Sequence, residues 1–116
     1  MLKAEYQQRG PVPQDVIAAV PFDLPELGAG EARVKVLAAP INPSDVLTLT
    51  GEYGMLPPLP AIGGNEGVGR VEAVAADVES LKPGQMVLLP VGCGTWRSHL
   101  QVKAKQLIAL PEADPL

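Results

Sequence analysis

The sequence predicts a mainly β domain, built as a barrel or sandwich of short strands with one short helix. Its 116 residues include 12 glycines and 13 prolines, and this frequency of turn residues leaves no room for long helices. Hydrophobic residues make up 47% of the chain and charged residues 19%, a balance that excludes disorder for most of it. A chain of this length is expected to form one domain around one core.

The strands of the first half are predicted from short apolar stretches between turn residues. A strand is expected around 2–6, and a second apolar stretch covers 16–20 until Pro21 closes it. Residues 31–39 alternate with the period of a half-buried strand. The face predicted to be buried carries Ala32, Val34, Val36 and Ala38.

One helix is predicted, over about 43–50. Asn42 can cap it, Pro43 suits its first position, and the charge of Asp45 favours the positive end of the helix dipole. Gly51 suits its end, because glycine readily adopts the left-handed conformation that stops a helix. Asp45 is interpreted as a charge at the helix start rather than as a catalytic base.

The second half is predicted to be an irregular loop followed by four strands. The loop covers 51–64 and is rich in proline. A Pro-Gly pair at the centre of 82–85 is typical of a type II turn. The strands are expected at 66–78, 86–89, 95–102 and 106–110, the first of them long and bent.

Charge and hydropathy exclude several kinds of partner. The net charge is −4 and no basic cluster occurs, so a nucleic-acid partner is not expected. No apolar stretch approaches the ~20 residues of a membrane helix, and the polar start does not resemble a signal peptide. We therefore expect a cytoplasmic location and no membrane partner. Cys93 is the only cysteine, which excludes an internal disulfide.

The glycine pairs do not form a dinucleotide-binding fingerprint. Gly-x-Gly occurs at Gly28, Gly67 and Gly92, but no third glycine follows at the required spacing and none of the pairs opens a helix. The chain therefore has no phosphate cradle of its own.

Five motifs together resemble one family. They are INPSD at 41–45, GEYG at 51–54, GGNEGVG at 63–69, LKPG at 81–84 and GTWR at 94–97. The combination resembles the N-terminal catalytic domain of the medium-chain dehydrogenase/reductase superfamily. Within it, the match is to the zinc-independent branch of mitochondrial-type 2-enoyl thioester (enoyl-ACP/CoA) reductases. Quinone oxidoreductases are near relatives that share much of the pattern.

The resemblance implies a GroES-like, partly open barrel over 1–110, with 111–116 as the start of a linker. In that family a Rossmann domain follows and binds NADPH; it is absent from this chain. The expected function is the catalytic half of an NADPH-dependent oxidoreductase of fatty acid metabolism. It would reduce the C=C bond of 2-enoyl thioesters and be inactive without its Rossmann domain.

The resemblance also implies the site. Tyr53 matches the catalytic tyrosine of the family, and a phenol is ordinarily protonated at neutral pH and able to donate a proton. Without the resemblance, Tyr53 would be read as an exposed loop aromatic. Asn42 matches a position near the nicotinamide, a cofactor contact that is compatible with helix capping.

Three further residues are expected to support the substrate or the cleft: Asn65, Glu66 and Trp96. Glu66 would hold the cleft by hydrogen bonds, and a structural salt bridge to Arg70 or Arg97 explains it equally well. Trp96 is interpreted as a packing residue in the core or between domains, with a substrate wall as the less favoured interpretation.

No catalytic zinc is expected. The zinc branch of the superfamily has cysteine and histidine where Asn42 and Asn65 stand here, and amides are poor zinc ligands beside thiolate and imidazole. Cys93 and His99 alone make a weak metal site.

Two other functions and one assembly state remain open. The chain could be a zinc-independent quinone oxidoreductase domain, or a non-catalytic GroES-like binding module that uses the apolar loop 55–62. A barrel without its partner domain should also expose apolar surface, so a homo-oligomer is expected.

Overall fold

The computed structural model describes residues 1–111, which form two open antiparallel sheets and one α-helix. Two short 3-10 helices, Pro13–Asp15 and Ala104–Gln106, were not predicted. The regular elements of this described part are β1 (Leu2–Tyr6), β2 (Ile17–Pro21), β3 (Glu31–Ala38), α1 (Pro43–Thr50), β4 (Ala61–Ile62), β5 (Val68–Val74), β6 (Met86–Leu88), β7 (His99–Lys103) and β8 (Ile108–Ala109). The predicted linker at 111–116 lies almost entirely outside the described residues.

The strands are arranged as a three-stranded sheet in the order β2-β1-β4 and a five-stranded sheet in the order β7-β3-β5-β6-β8. An isolated bridge between Lys3 and Arg97 joins the sheets, and the Ala4 N–H donates to the Trp96 carbonyl at 2.7 Å. The mainly β, partly open architecture with one short α-helix is therefore confirmed.

Two buried clusters replace the single predicted core. The larger lies on the five-stranded sheet and consists of Ala32, Val34, Val71, Leu81, Val87, Leu89, Leu100, Ala104 and Leu107. The smaller consists of Tyr6, Leu49 and Ala61, with Trp96 packed against it. This smaller cluster joins β1, α1 and β4, and it supports the site described below.

The predicted alternation in β3 holds for its first half. Ala32 and Val34 are fully buried and Val36 is half-buried, but Ala38 is exposed. The cause is a register shift between Val36 and Ala38 in the pairing with β5. A bulge of this kind turns the following side chains away from the core.

The helix begins and ends as predicted, and Asn42 is its N-cap residue. Asn42 and Asp45 form a capping box, in which the Asn42 backbone N–H donates to Asp45 Oδ2 at 2.7 Å. At the other end Gly51 has a φ of +87°, and its N–H donates to the Leu47 carbonyl at 3.0 Å. Capping uses the side-chain oxygen of an N-cap residue, so the amide Nδ2 of Asn42 is available to donate elsewhere.

Four strand predictions had wrong boundaries because other hydrogen bonds compete with the ladders. The strand predicted at 66–78 covers only Val68–Val74, since Val78 N–H turns back to the Ala75 carbonyl at 3.0 Å. The strand predicted at 95–102 begins at His99, because Trp96 N–H bonds to Gly63 instead. The last two, predicted at 86–89 and 106–110, are Met86–Leu88 and Ile108–Ala109.

The predicted loop at 51–64 contains a short strand, β4, which pairs with β1. The turn predicted at 82–85 is confirmed, with Gly84 at a φ of +95° and a hydrogen bond from Gln85 N–H to the Lys82 carbonyl at 3.2 Å. The longest helix of the described part, α1, has eight residues, so none of its helices could span a membrane.

Gly69→Ala is expected to lower the free energy of unfolding by about 1–3 kcal/mol, the typical cost of overpacking a core. A β-carbon at Gly69 would lie 2.4 Å from Val34 Cγ1 and 2.7 Å from the Lys35 carbonyl oxygen. Urea denaturation measures the loss. Gly54→Ala is the control, because no atom lies within 4 Å of its added carbon. Equal midpoints for the two variants would contradict the packing described here.

Candidate active site

A cleft of about 430 Å³ opens between α1, the loop that follows it, and the segment between β4 and β5. Apolar side chains dominate its wall, with a few polar groups among them. The cleft is lined by Tyr6, Asp45, Thr48, Leu49, Tyr53, Met55, Leu56, Pro57, Ile62, Gly63, Gly64, Asn65, Val91 and Gly92. Concave sites of this composition are where small ligands usually bind.

Tyr53 lies on this cleft, and the end of the helix places it there. The N–H groups of Gly51, Glu52 and Tyr53 all donate to the Leu47 carbonyl, at 3.0, 2.9 and 3.2 Å. The chain therefore turns sharply after α1. The Tyr53 side chain is 42% exposed, so it lies outside the hydrophobic interior and can meet a ligand.

Asn65 lines the same cleft as Tyr53. Its Nδ2 donates to Ser44 Oγ in the first turn of α1, at 3.3 Å. The structure therefore brings together two of the five predicted site residues, from segments 12 residues apart in sequence.

Asn42 and Glu66 form a separate pair beside the cleft. Asn42 Nδ2 donates to Glu66 Oε2 at 2.8 Å, and the Glu66 carbonyl accepts from Thr95 Oγ1 at 2.7 Å. Neither residue is among those that line the cleft. Glu66 instead faces a neighbouring cavity with Val68 and Leu89.

The hydrogen-bonding interpretation of Glu66 matches this geometry, and the salt-bridge alternative was wrong. Within residues 1–111, Arg70 donates to the Gly84 carbonyl at 2.7 Å and Arg97 to the Cys93 carbonyl at 3.0 Å. Neither arginine forms an ion pair with Glu66 in this part of the chain.

Trp96 supports the cleft from behind. Its ring packs so closely over Gly63 and Gly64 that a β-carbon on Gly63 would lie 2.3 Å from Cε3. Its Nε1 donates to the Pro40 carbonyl at 3.2 Å. The packing interpretation thus describes its place in this structure, and the ring is not part of the cleft wall.

The sequence did not reveal the helix wall of the cleft. Asp45, Thr48 and Leu49 share one face of α1, and their spacing of three and four residues could have indicated a common environment. Asp45 is 3% exposed, and its Oδ1 has no hydrogen-bond partner within the described residues. It is therefore both the capping-box partner of Asn42 and a buried polar group beside the cleft.

A second phenol, Tyr6, was also missed. It is 2% exposed and lines the cleft from the end of β1. Burial raises the pKa of Tyr6, and the positive charge of Arg9 offsets part of that rise. Tyr6 is therefore a weaker acid than an ordinary phenol and a poor choice for proton delivery.

The two residues weighed as a metal site lie in other environments. Burial raises the pKa of the Cys93 thiol, with Arg97 acting in the opposite direction, so the thiolate that binds metal is disfavoured. His99 Nε2 lies 3.2 Å from Glu72 Oε1. In the described residues no three side chains of the His, Cys, Asp and Glu types cluster as metal ligands would.

Comparison with known proteins identifies the class of this domain. The family model for the alcohol dehydrogenase GroES-like domain matches residues 28–112. The chain therefore belongs to this family, in the medium-chain dehydrogenase/reductase superfamily. Its relatives are enoyl thioester reductases and quinone oxidoreductases, so the family is one of oxidoreductases.

One curated relative is the mitochondrial enoyl-[acyl-carrier-protein] reductase of Rattus norvegicus, 47% identical over 105 residues. The match covers 90% of this chain and 28% of that protein. The chain thus spans less than a third of the relative's length.

Solved structures give the same assignment. The Etr1p/NADP/crotonyl-CoA complex superimposes with a TM-score of 0.86 at 34% identity, over 95% of this chain and 33% of that one. The Etr1p/Etr2p 2-enoyl thioester reductase heterodimer of Candida tropicalis gives 0.87 at 34% identity, over the same shares. Escherichia coli quinone oxidoreductase with NADPH gives 0.79 at 29% identity, over 96% and 33%.

We expect Tyr6 to ionise above the ordinary range of a phenol, because its pKa is raised in the folded state. Its contribution to stability is then complete below the unfolded pKa of about 10 and is lost as the pH rises through the folded pKa. Absorbance titration at 295 nm should show a late phenolate component that Tyr6→Phe removes. Persistence of that component in the variant would contradict the assignment.

Proposed function

We propose that this chain supplies the substrate cleft and the proton donor of an NADPH-dependent reductase of 2-enoyl thioesters. The observation that carries the proposal is the Tyr53 phenol, accessible on an otherwise mostly apolar cleft. The names of the relatives support it, since the similar Etr1p structure contains NADP and crotonyl-CoA.

The reaction needs one proton from the protein side. A nicotinamide nucleotide, if bound, would supply the hydride that the β carbon of the substrate accepts. The electron pair of the C=C bond then resides on the α carbon and thioester oxygen as an enolate. Tyr53 donates its phenolic proton to the α carbon, which completes the saturated thioester. Because Tyr53 is exposed, the phenolate recovers a proton from solvent.

The described residues do not fit the phosphates of a dinucleotide. The α-helix of this part starts at Pro43 and has no glycine-rich turn before it. We infer that NADPH is held mainly by a separate nucleotide-binding domain, with residues 1–110 as the catalytic domain and 111–116 as the linker. The chain alone would then be inactive.

Asn42 is the residue of this chain that we assign to the cofactor. Its Nδ2 donates to Glu66 Oε2 at 2.8 Å, which fixes the orientation of the amide beside the cleft. Asn65 and Trp96 support the side of the cleft that Gly63 and Gly64 form. No catalytic zinc is part of the proposal, because Asn42 and Asn65 are both amides.

A quinone is the second candidate substrate. The similarity to Escherichia coli quinone oxidoreductase supports it, and a planar apolar ring would suit the same cleft. The non-catalytic binding module is less favoured, because Met55 and Leu56 of its proposed docking loop belong to the cleft wall.

Tyr53→Phe is expected to lower kcat with crotonyl-CoA by about 100-fold or more, the usual contribution of a positioned proton donor. The test uses a chimera in which residues 1–111 replace the matching segment of the rat enoyl reductase. The KM for NADPH should stay unchanged, since the phenol does not hold the nucleotide. Equal kcat in the two proteins would remove the mechanism, and turnover with quinones only would favour the second candidate.

We also propose that the chain forms a homo-oligomer through exposed apolar surface. Met55 and Val91 are 81% and 80% exposed, and both lie at the cleft. Light scattering at millimolar concentration should give a mass above 12.1 kDa, and Met55→Lys with Val91→Lys should restore the monomer mass. A monomer in the unsubstituted chain would contradict this.

The cytoplasmic location stays a prediction, and the relatives' names place those enzymes in mitochondria.

A further inference from the structure

We propose that Arg9 is a positioning residue that fastens the loop carrying Tyr53 to the body of the domain. The structural part of this proposal is that Arg9 holds the loop 51–59 against the domain. The expected effect on catalysis rests in addition on the proposed function of Tyr53.

The loop has few contacts of its own. All residues at 52–60 are exposed, and the backbone hydrogen bonds to Leu47 end at Tyr53. In the described part of the chain, residues 54–59 have a single hydrogen bond to the rest of the protein. It is donated by Arg9 Nη2 to the Pro57 carbonyl. A segment with so few contacts belongs to the least stable part of a fold.

Arg9 reaches both ends of this loop. Its Cδ and Cβ lie 3.5 and 3.9 Å from the position that a β-carbon of Gly51 would occupy, so its stem packs on the end of α1. The neighbouring Gly10 N–H donates to the Leu49 carbonyl at 3.3 Å, which fixes the Arg9 backbone against the helix. The guanidinium extends from there to the Pro57 carbonyl, so that Arg9 contacts the loop both at Gly51 and at Pro57.

Part of the Arg9 guanidinium is shielded from solvent. Arg9 is half-buried, and its Nε is shielded from solvent with no partner in residues 1–111. Its charge acts on the Tyr6 phenol, which lines the same cleft. Arg9 therefore lies behind the cleft wall, close to the groups that a ligand would meet.

The loop between the two contacts of Arg9 contributes four cleft residues: Tyr53, Met55, Leu56 and Pro57. If residues 54–59 leave this position, the cleft wall around the Tyr53 phenol opens, although the Tyr53 N–H stays bonded to the Leu47 carbonyl. The apparent affinity and rate then fall with the fraction of molecules in which the loop is in place.

Arg70 is a matched comparison. It also donates to a backbone carbonyl in a turn, at Gly84, at 2.7 Å. Backbone hydrogen bonds also hold that turn, because Gln85 N–H donates to the Lys82 carbonyl and Gly84 N–H donates to the Val71 carbonyl. Loss of Arg70 should therefore leave its turn in place, whereas loss of Arg9 should release residues 54–59.

The test is ¹⁵N relaxation on the 116-residue chain with Arg9→Met, Arg9→Lys and Arg70→Met. Gly54, Met55, Leu56 and Leu59 are the residues of 54–59 that carry an amide proton. In the unsubstituted chain their order parameters should be near 0.85, and Arg9→Met should lower them below about 0.6. Arg9→Lys, which keeps a cationic donor, should restore part of the difference. Arg70→Met should leave both loops unchanged.

Unchanged order parameters at 54–59 in Arg9→Met would overturn the proposal. A measurement without substitution covers the case in which Arg9→Met does not fold. In the unsubstituted chain, the ¹⁵N resonances of the Arg9 guanidinium should show restricted rotation about Cζ–Nε, and free rotation would also overturn it.

The catalytic consequence is measured separately in the chimera. Arg9→Met should lower kcat by about tenfold or more with the KM for NADPH unchanged, because misplacing a catalytic group is costly. Arg9→Lys should recover part of the rate. Unchanged kcat with a mobile loop would overturn the positioning role. An inactive parent chimera would count against the proposed function alone, since the relaxation experiment still decides whether Arg9 holds the loop.

Discussion

The carbonyl of Leu47 is the point on which the candidate site depends. It accepts the N–H groups of three successive residues, Gly51, Glu52 and Tyr53, where the helix ends. Glycine at the first of these positions allows the left-handed turn that lets all three converge. The chain thus leaves α1 in a direction that places the Tyr53 phenol on the cleft. The remaining parts of the site are arranged around a helix end that local interactions define.

The opposite side of the cleft depends on close packing rather than on hydrogen bonds. Gly63 and Gly64 pass under the Trp96 ring at distances that no side chain would allow. Trp96 is fixed in turn by its bond to Pro40 and by the cluster around Leu49. A rigid wall therefore faces a loop that is exposed along its whole length. The two sides of the cleft are thus held by different means, close packing on one side and few hydrogen bonds on the other.

Local signals in the sequence predicted the helix, its two ends and the turn around Gly84, because the residues that define them are neighbours in the chain. The motif resemblance predicted that Tyr53 and Asn65 belong to one site. The roles of Tyr6 and Arg9 could not be predicted, because long-range contacts place both residues. The pairing of β1 with β4 brings Tyr6 to the cleft, and the bond from Gly10 N–H to the Leu49 carbonyl holds Arg9 behind it. The strand boundary near Trp96 was wrong for the same reason. The N–H groups of Thr95 and Trp96 bond to Gly64 and Gly63, far away in sequence, instead of to the expected ladder.

The single tryptophan of the sequence lies directly behind the two glycines that line the cleft. Its indole touches the backbone there without contacting the space in which a small molecule would sit. Indole emission responds to small changes in its surroundings. Trp96 is therefore an internal fluorophore that only the backbone of Gly63 and Gly64 separates from the cleft. Occupancy of the cleft can consequently be followed optically on the natural chain, with no label and no coupled assay.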